Sequence, residues 1–453
     1  MARSFRPYSI DQGYLLPQAP REWVPEGHLA FFLEEMVSLL DLRPIFKQYG
    51  WGRGPKAYHP QMLLTLLLYG YCTGVCSSRK IARSCEMDLA FRVLSGGQFP
   101  DFRTLSDFRK QHLEAFQGLF LEVLRMCREA GLVRMGHLSL DGSKYQVNAS
   151  KHKAMSYGRI EEAEPQLEAE IKELLQRAAD VDEAEDAEYG PEQRGDELPE
   201  ELRRREGRLE KIREAKWRLE ERARSRAQER VEASGAGPEE AAAAGEQAVP
   251  RPKEQSNFTD PDSRIMKTSH GWIQGYNAQV LVEEASGVIV AQEVTAHSVD
   301  SPRLRPMLDH LDENLARVGV PEEERRPKWF TADAGYCSEN NLRMLAERQI
   351  DAYVATGRER HHRRGIGRGI GDGSRTRTPL RAAMRDKLRT PEGRAIYARR
   401  KVITEPVHGL IKQARGFRQF LLRGLSKVAG EFTLVALTHN LPKLWRTRLA
   451  PAK

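Results

Sequence analysis

HLSLDGSKYQVNAS, residues 137–150, is the stretch whose reading decides the fold. Its alternation over His137-Leu138-Ser139-Leu140 predicts a short half-buried strand, ended by Asp141-Gly142-Ser143. That reading leaves one carboxylate at a strand tip, where it can meet solvent or a cation. Taken alone, Asp-Gly is simpler to read as the opening of a turn. Two later segments bear on the choice. KWFTADAGY (328–336) is again an apolar strand that ends in an aspartate, Asp333, before a small-residue turn. YARRKVITEPVHGLIK (397–412) carries Glu405 on a basic, helix-like stretch. Two strand-end aspartates and a distant glutamate form a donor set for divalent cations and phosphodiester chemistry. Such chemistry needs an activated oxygen nucleophile, a stabilised leaving oxygen and screened phosphate charge. Hard oxygen donors without a Cys/His cluster favour Mg²⁺, with Mn²⁺ as a substitute.

The segments around these carboxylates supply a sheet. Tyr276 to Val282 and Val288 to Val294 are β-branched runs separated by Glu283-Glu284-Ala285-Ser286-Gly287, which predicts an antiparallel hairpin. A helix carrying Leu304, Met307, Leu308 and Leu311 follows. Then come the Asp333 strand, a helix opening near Ser338, and a strand over 351–355. Joined to the Asp141 strand, the order is strand, hairpin, helix, strand, helix, strand and closing helix. This is the ribonuclease H-like order, an α/β (α+β) domain with a mixed sheet.

Ahead of it, residues 28 to 130 read as helical. Leu29, Phe32, Met36, Leu39 and Leu40 recur at three- and four-residue spacing, and His59-Pro60-Gln61 opens a second apolar helix through Leu64, Leu67 and Leu68. Ser77 to Arg83 and Thr104 to Lys110 begin helices with basic first turns, which makes Arg79, Lys80 and Arg109 candidates for phosphate contact. A plain helical packing domain with a solvated basic face explains them equally well.

Residues 159–255 differ in kind. EELRRREGRLEKIREAKWRLEERARSRAQERVEA, with charges of both signs at i, i+4, predicts long exposed helices. Leu202, Leu209, Ile212 and Leu219 are too sparse for a coiled coil. Residues 235–252, with their Ala and Pro, read as flexible linker. The segment is expected to be a charged insertion, a solvated helical hairpin; a dimerisation or DNA-contacting arm is the alternative. The expected organisation is a helical DNA-binding domain over 1–135, a catalytic domain over 136–158 and 256–445, and the insertion over 159–255. Further on, Arg358 to Arg377 holds GIGRGIG, which does not lead from a strand into an apolar helix, so a nucleotide-binding loop is rejected. A mobile basic loop that neutralises phosphates is expected there, with His361 and His362 as loop residues and not metal ligands.

Composition agrees with a nucleic-acid partner without requiring one. Lys and Arg outnumber Asp and Glu by 72 to 64 over 453 residues, for a net charge of +8. A mean hydropathy of −0.61 is low for one compact globule and calls for a highly polar segment. Five cysteines without paired spacing exclude a disulfide scaffold or zinc finger and suit a reducing cytoplasm. No apolar signal core opens the chain, and the longest largely apolar run, Met62 to Leu68, is far too short to span a bilayer. A cytoplasmic, nucleoid-associated protein is expected.

SLDGS around Asp141, TDPDSRIMK (259–267), GYNAQ (275–279), TADAGYCSENN around Asp333, and Tyr397, Arg400, Glu405 and Lys412 together resemble the DDE transposases of bacterial insertion sequences. The closest likeness is to the branch with a Tyr-Arg-Glu-Lys signature around the catalytic Glu. The spacing departs at one point: four residues separate Arg400 from Glu405 where the family has three, so Lys401, at i−4 from Glu405, is placed to share the Arg role. Pro406 also argues against helical geometry at Glu405. The resemblance implies Asp141, Asp333 and Glu405 as catalytic metal ligands, cleavage at the transposon ends, and attack of the freed 3′-OH on target DNA. It implies phosphate contacts by Arg400, Lys401 and Lys412, with Tyr397 either stacking there or packing on its helix. A homodimer or larger synaptic complex is implied, because two ends are cut together. Asp260-Pro261-Asp262 reads as turn chemistry, and Asp300 and Glu293 stand as alternates to Glu405. Two rival readings stay open: an inactive transposon-derived DNA-binding protein, and an RNase H-like nuclease that cuts without joining.

Overall fold

The computed structural model describes residues 19–49, 56–189, 200–232, 237–268, 271–357 and 378–449, with side chains of 177–202 and 232 left aside. The loop holding GIGRGIG, His361 and His362 lies outside them.

The N-terminal part is helical: α1 (Leu29–Leu39), α2 (Arg43–Phe46), α3 (Pro60–Thr73), α4 (Ser78–Met87), α5 (Leu89–Leu94), α6 (Phe102–Gln111) and α7 (Leu113–Glu129). Their starts are written in the sequence. His28 Nδ1 accepts from Ala30 N, Asp88 caps Phe91 N, Asp101 caps Arg103 N, and Pro60 occupies the first turn of α3. α3 is closed by Gly74 at φ 86°, where a Cβ would meet the Arg415 carbonyl at 2.8 Å.

Next come β1 (His137–Gln146), β2 (Ala154–Ser156), α8 (Tyr157–Tyr189), α9 (Glu200–Glu232), α10 (Pro238–Glu246), β3 (Gln255–Asn257), β4 (Arg264–Thr268), β5 (Gly271–Glu283) and β6 (Ile289–Thr295). They are followed by α11 (Leu304–Arg317), β7 (Trp329–Ala332), α12 (Glu339–Glu347), β8 (Ala352–Val354), α13 (Pro379–Arg389), α14 (Pro391–Gly409), a π turn over Leu410–Ala414, and α15 (Leu425–Leu449). Six strands form one mixed sheet in the order β4-β5-β1-β7-β8, with β6 also paired to β5. β5 is long enough to take two partners along one edge, β4 over its first residues and β6 over its last. Its other edge runs antiparallel to β1 from Gly275 to Glu283, while β1, β7 and β8 are parallel.

Three expectations need correction. Asp141 does not end its strand. β5 offers β1 an antiparallel partner as far as Gln146, and that ladder outweighs the turn tendency of Asp-Gly. Residues 238–246 are not linker but α10: Pro at the first turn, two acids behind it and a run of alanines favour helix, and Ala241 and Gly245 are buried. Nor does Pro406 interrupt α14. Pro406, Val402 and Glu405 lie on its exposed face, so the main-chain bond that proline removes is lost on the side that water reaches.

The hydrophobic core is continuous. One cluster runs from Leu33, Leu64 and Phe120 of the N-terminal helices through Leu140, Val280 and Phe330 of the sheet to Phe432 and Leu437 of α15. α8 and α9 pair through two small clusters, Ile160 with Ile212 and Leu219, and Leu167 with Leu209, so the helices run antiparallel. Glu164 holds Arg213 at 3.3 Å and Lys216 at 2.7 Å across the pair. Such bridges at the surface of a helix pair contribute little each, about 0–1 kcal/mol; the buried apolar stripe sets the pairing.

Candidate functional site

β1 and β7 lie parallel, and their last register pair is Leu140 with Ala332. The next residue on each chain is an aspartate, so Asp141 and Asp333 leave the same edge of the sheet side by side. Past this point β1 keeps its β5 ladder while the chain of β7 turns away. Asp333 caps the turn Ala334–Tyr336, its Oδ1 accepting from Gly335 N at 2.8 Å.

A third carboxylate reaches the same place from the segment after β6. Asp300 Oδ1 accepts from Asn277 Nδ2 at 2.6 Å and from Gln279 Nε2 at 2.9 Å, both on β5. Its two oxygens occupy space that side chains would otherwise take. A Cβ on Gly142 would come within 2.8 Å of Asp300 Oδ1, and one on Gly335 within 3.0 Å of Oδ2 and 2.9 Å of Asp333 Oδ1. Both glycines are required by close approach. Tyr336 donates to Gln279 Oε1 and so fixes which end of that amide faces Asp300.

The cations come from α14 and the π turn. Thr390 caps α14, accepting from Gly393 N at 3.0 Å, and Pro391 starts it. One turn after Tyr397, Arg400 brings Nη1 within 3.5 Å of Asp141 Oδ1, with its guanidinium carbon 6.0 Å from the Tyr397 ring centroid. Lys412 Nζ donates to Ser143 Oγ at 2.5 Å and to the Lys144 carbonyl at 2.8 Å, and lies 4.2 Å from the Tyr145 ring centroid. Burial raises the Asp141 carboxyl to about 6, with Asp333 and Asp300 pushing the same way and Arg400 opposing. Burial lowers the Lys412 ammonium to about 8, against the pull of Asp141. Beneath them His408 packs its Nδ1 3.2 Å from the Tyr145 hydroxyl, and burial lowers the imidazole to about 3, so it stays neutral.

The structure therefore brings Asp141, Asp333, Asp300, Arg400 and Lys412 to one edge. Glu405 and Lys401 face solvent on α14, and neither side chain makes an ion pair or hydrogen bond among the described residues. Among those residues no three His, Cys, Asp or Glu side chains close around a single ion. The crowding of hard oxygen donors, with Asp141 raised partly by its acidic neighbours, nevertheless fits a divalent cation that would relieve it.

Other candidates fall elsewhere. Arg79 and Lys80 are exposed on α4, Arg79 lying 4.9 Å from the Phe102 ring centroid. Arg109 is a correction to the expected phosphate contact: it is 4% exposed, and its Nη1 donates to the Tyr71 hydroxyl at 3.0 Å and the Cys76 carbonyl at 3.2 Å, 3.8 Å from Glu431. It shares a face with Leu105 and Phe108, and that spacing is the signal of burial in the sequence. Glu293 sits opposite Gln279 on the β5–β6 ladder and pairs with Arg303 at 3.0 Å. Asp260 accepts from the Tyr276 hydroxyl at 2.7 Å, and Asp262 from Leu425 N at 3.0 Å, which are structural uses. Asn277 and Gln279 belong to the GYNAQ segment; as bare amides on a strand they carry no signal of what they hold.

Residues 246–441 match the family model described as Transposase DDE domain, and residues 18–111 match the one described as Transposase domain (DUF772). Together the two cover well over half of the chain. The chain belongs to the DDE transposases. The first match contains Asp300, Asp333, Arg400, Glu405 and Lys412; Asp141 lies before it. No curated protein and no solved structure matches the transposase at a significant level. As a member of the family it is an enzyme of the polynucleotidyl transferase type with DNA as substrate. No helix among its described residues is long and apolar enough to cross a membrane.

Proposed function

We propose that this transposase binds the ends of a bacterial insertion sequence, cuts them, and joins the freed 3′ ends to target DNA at the edge where Asp141 and Asp333 lie. The observation that carries the reading is their adjacency at the end of the β1–β7 parallel pair, with Arg400 and Lys412 beside them. The strand order β6-β5-β1-β7-β8, with the first three antiparallel and the last three parallel, supports an RNase H-like catalytic domain over 136–158 and 256–445. The helices of 1–135 are assigned to DNA binding and 159–255 to an insertion into that domain.

Asp141 and Asp333 would hold Mg²⁺, or Mn²⁺ in its place, with Asp300 beside them; Glu405, the third ligand that the last motif nominates, faces solvent on α14 and would have to turn toward them to serve. When bound, the cation screens phosphate charge and activates oxygen for in-line displacement. The chain's own groups do the rest. Arg400 offers a planar fork to a non-bridging phosphate oxygen once the Asp141 carboxylate is shared. Lys412 keeps a point charge beside Ser143, and Tyr397 carries the ring against which Arg400 lies. Lys401 and Glu405 share the solvent side of α14, and the last motif, one residue longer than the family's between Arg400 and Glu405, supports a place in the Tyr-Arg-Glu-Lys branch. Two ends cut together call for a homodimer or larger synaptic complex, working on the nucleoid.

The test is cleavage and joining on duplexes that carry the element's own ends, with Mg²⁺ or Mn²⁺, for wild type and for Asp141→Ala, Asp333→Ala and Glu405→Ala. Loss of both steps in all three, with end binding kept, supports the reading. Full activity of Glu405→Ala alone transfers the third position to Asp300. Binding without cutting by the wild type leaves a DNA-binding protein derived from such an element, and cutting without joining leaves a nuclease.

A further inference from the structure

Bounded on one side by Ala296–Ser298, the segment that leads to Asp300, a groove of about 750 Å³ runs between α9 and the β4–β5 hairpin, and its lining includes Trp217, Arg222, Lys253, Arg264 and Trp272. Both tryptophans present their rings to water, Trp217 at 62% and Trp272 at 58% exposure. Large aromatic surface is seldom left this open in pairs without a partner. Trp272 is also a wall of a neighbouring cleft formed with Lys151, His152 and Arg159, which no carboxylate lines.

The charge in the groove is held ready for an anion. Arg222 and Arg264 both donate to the Pro261 carbonyl, and Arg264 also to the Asp262 and Ser263 carbonyls. Neither forms an ion pair among the described residues: carbonyls fix the two guanidinia, and the Asp262 carboxylate offsets them only from beyond contact. Their mutual repulsion adds to burial in lowering Arg222 to about 10. Three of the groove's carboxylates are already engaged: Glu254 by Arg226, Asp262 by Leu425 N, and Glu221 by Arg224.

We propose that this groove and the adjoining Lys151–Arg159 cleft are a second DNA-contact surface, which grips the sugar-phosphate backbone of the element end inside the cleavage point. The inference rests on the proposed function and adds a position to it. Asp141 stands opposite Val280 on β5, and Trp272 is eight residues further along that strand. At about 3.4 Å per residue the separation is about 27 Å, which a duplex lying along β5 covers in about 8 base pairs. Guanidinia and lysines take the phosphates, and the indole faces pack on deoxyribose.

The experiment uses the full chain and a duplex of about 40 base pairs carrying the element end, and reads affinity against salt together with a hydroxyl-radical footprint. Two variants confined to exposed side chains are compared with wild type: Trp217→Ala/Trp272→Ala and Lys151→Gln/Arg159→Gln/Lys253→Gln. The expected result is a roughly tenfold fall in affinity for each. The salt slope of the lysine–arginine variant should decrease by about 0.9 for each phosphate it no longer neutralises. Protection should vanish about 8 base pairs inside the end and persist at the cleavage point. Unchanged affinity, slope and footprint in both variants overturns the proposal, as does a loss of self-association with DNA binding intact, which would make the groove an interface between copies. A wild type that binds no end duplex overturns the end-binding function itself, an outcome separate from the other two.

Discussion

Arg400 of α14 faces Asp141 of β1 across 3.5 Å, an ion pair that joins α14 to the central strand of the sheet. It is also the counter-charge that lets three carboxylates share one edge. Replacing Arg400 with Gln should leave Asp141 beside Asp333 and Asp300 without relief. Single-turnover cleavage of end duplexes is expected to fall by about 10²-fold or more, the scale on which lost electrostatic stabilisation is felt. End binding measured by gel shift should change little. Equal loss of binding and cleavage would place Arg400 in recognition instead.

Asp300 is expected to matter although two amides already satisfy it. Asp300→Asn would turn an NH₂ group toward the donors of Asn277 and Gln279, or turn its oxygen to them and its NH₂ toward Asp333. Either arrangement spoils the acidic edge. Cleavage should drop by about 10²-fold and the Mg²⁺ concentration for half-maximal rate should rise. Gly142→Ala and Gly335→Ala, each driving a Cβ to within about 3 Å of the Asp300 carboxylate, should reproduce that metal phenotype in milder form. Normal metal dependence in all three variants would remove Asp300 from the site.

Arg109 and the α4 cations should separate cleanly. Arg109→Ala abandons Glu431, whose carboxylate is fully buried and otherwise held by the Tyr71 hydroxyl and the Leu421 and Leu422 amides. A loss of about 3–5 kcal/mol is expected, the usual cost of breaking a buried pair from one side, read by urea denaturation. Arg79→Ala and Lys80→Ala should stay within about 0.5 kcal/mol of wild type and weaken DNA binding.

Glu283 gives the pH test. It is 1% exposed at the start of the β5–β6 turn, its Oε2 has no hydrogen-bond partner, and burial raises its carboxyl to about 7. A folded value above the unfolded 4.5 means that its favourable contribution is complete below pH 4.5 and is lost as pH rises through 7. Glu283→Gln keeps one acceptor and sheds the charge. At pH 8 it should stabilise the chain by about 3 kcal/mol, and the gain should vanish by pH 4.5. Thermal melts at the two pH values decide it.

The elements that sequence alone disclosed are those that obey one rule at a time. The 276–294 hairpin, the Asp333 strand, the helix behind Ser338 and the paired charged helices each follow from alternation, a cap or i, i+4 charge. Misreadings came where a distant partner decided. Asp141-Gly142 is a turn pair until β5 is laid beside it, and Pro406 is a breaker until α14 proves to have a wet side. Arg109 passes for a surface cation until Tyr71 and Glu431 are placed around it. At the carboxylate edge, Asp141, Asp333, Arg400 and Lys412 were legible as motif residues. The clamp of Asn277 and Gln279 on Asp300 was not, because it joins side chains more than twenty positions apart with no periodicity between them.

Tyr71 meets Glu431 across 360 positions of chain, and α15 packs its Phe432 and Leu437 into the same core as Leu64 and Phe120. The N-terminal helices are therefore completed by a helix that is translated long after them. During synthesis, while the ribosome has still to emit residues 425–449, the apolar faces of α3 and α7 have no permanent cover and Arg109 has no acid to answer it. A product cut before residue 425 should be a substrate for chaperones and proteases before it can occupy DNA, so α15 acts as a checkpoint on the folding of helices encoded far upstream of it.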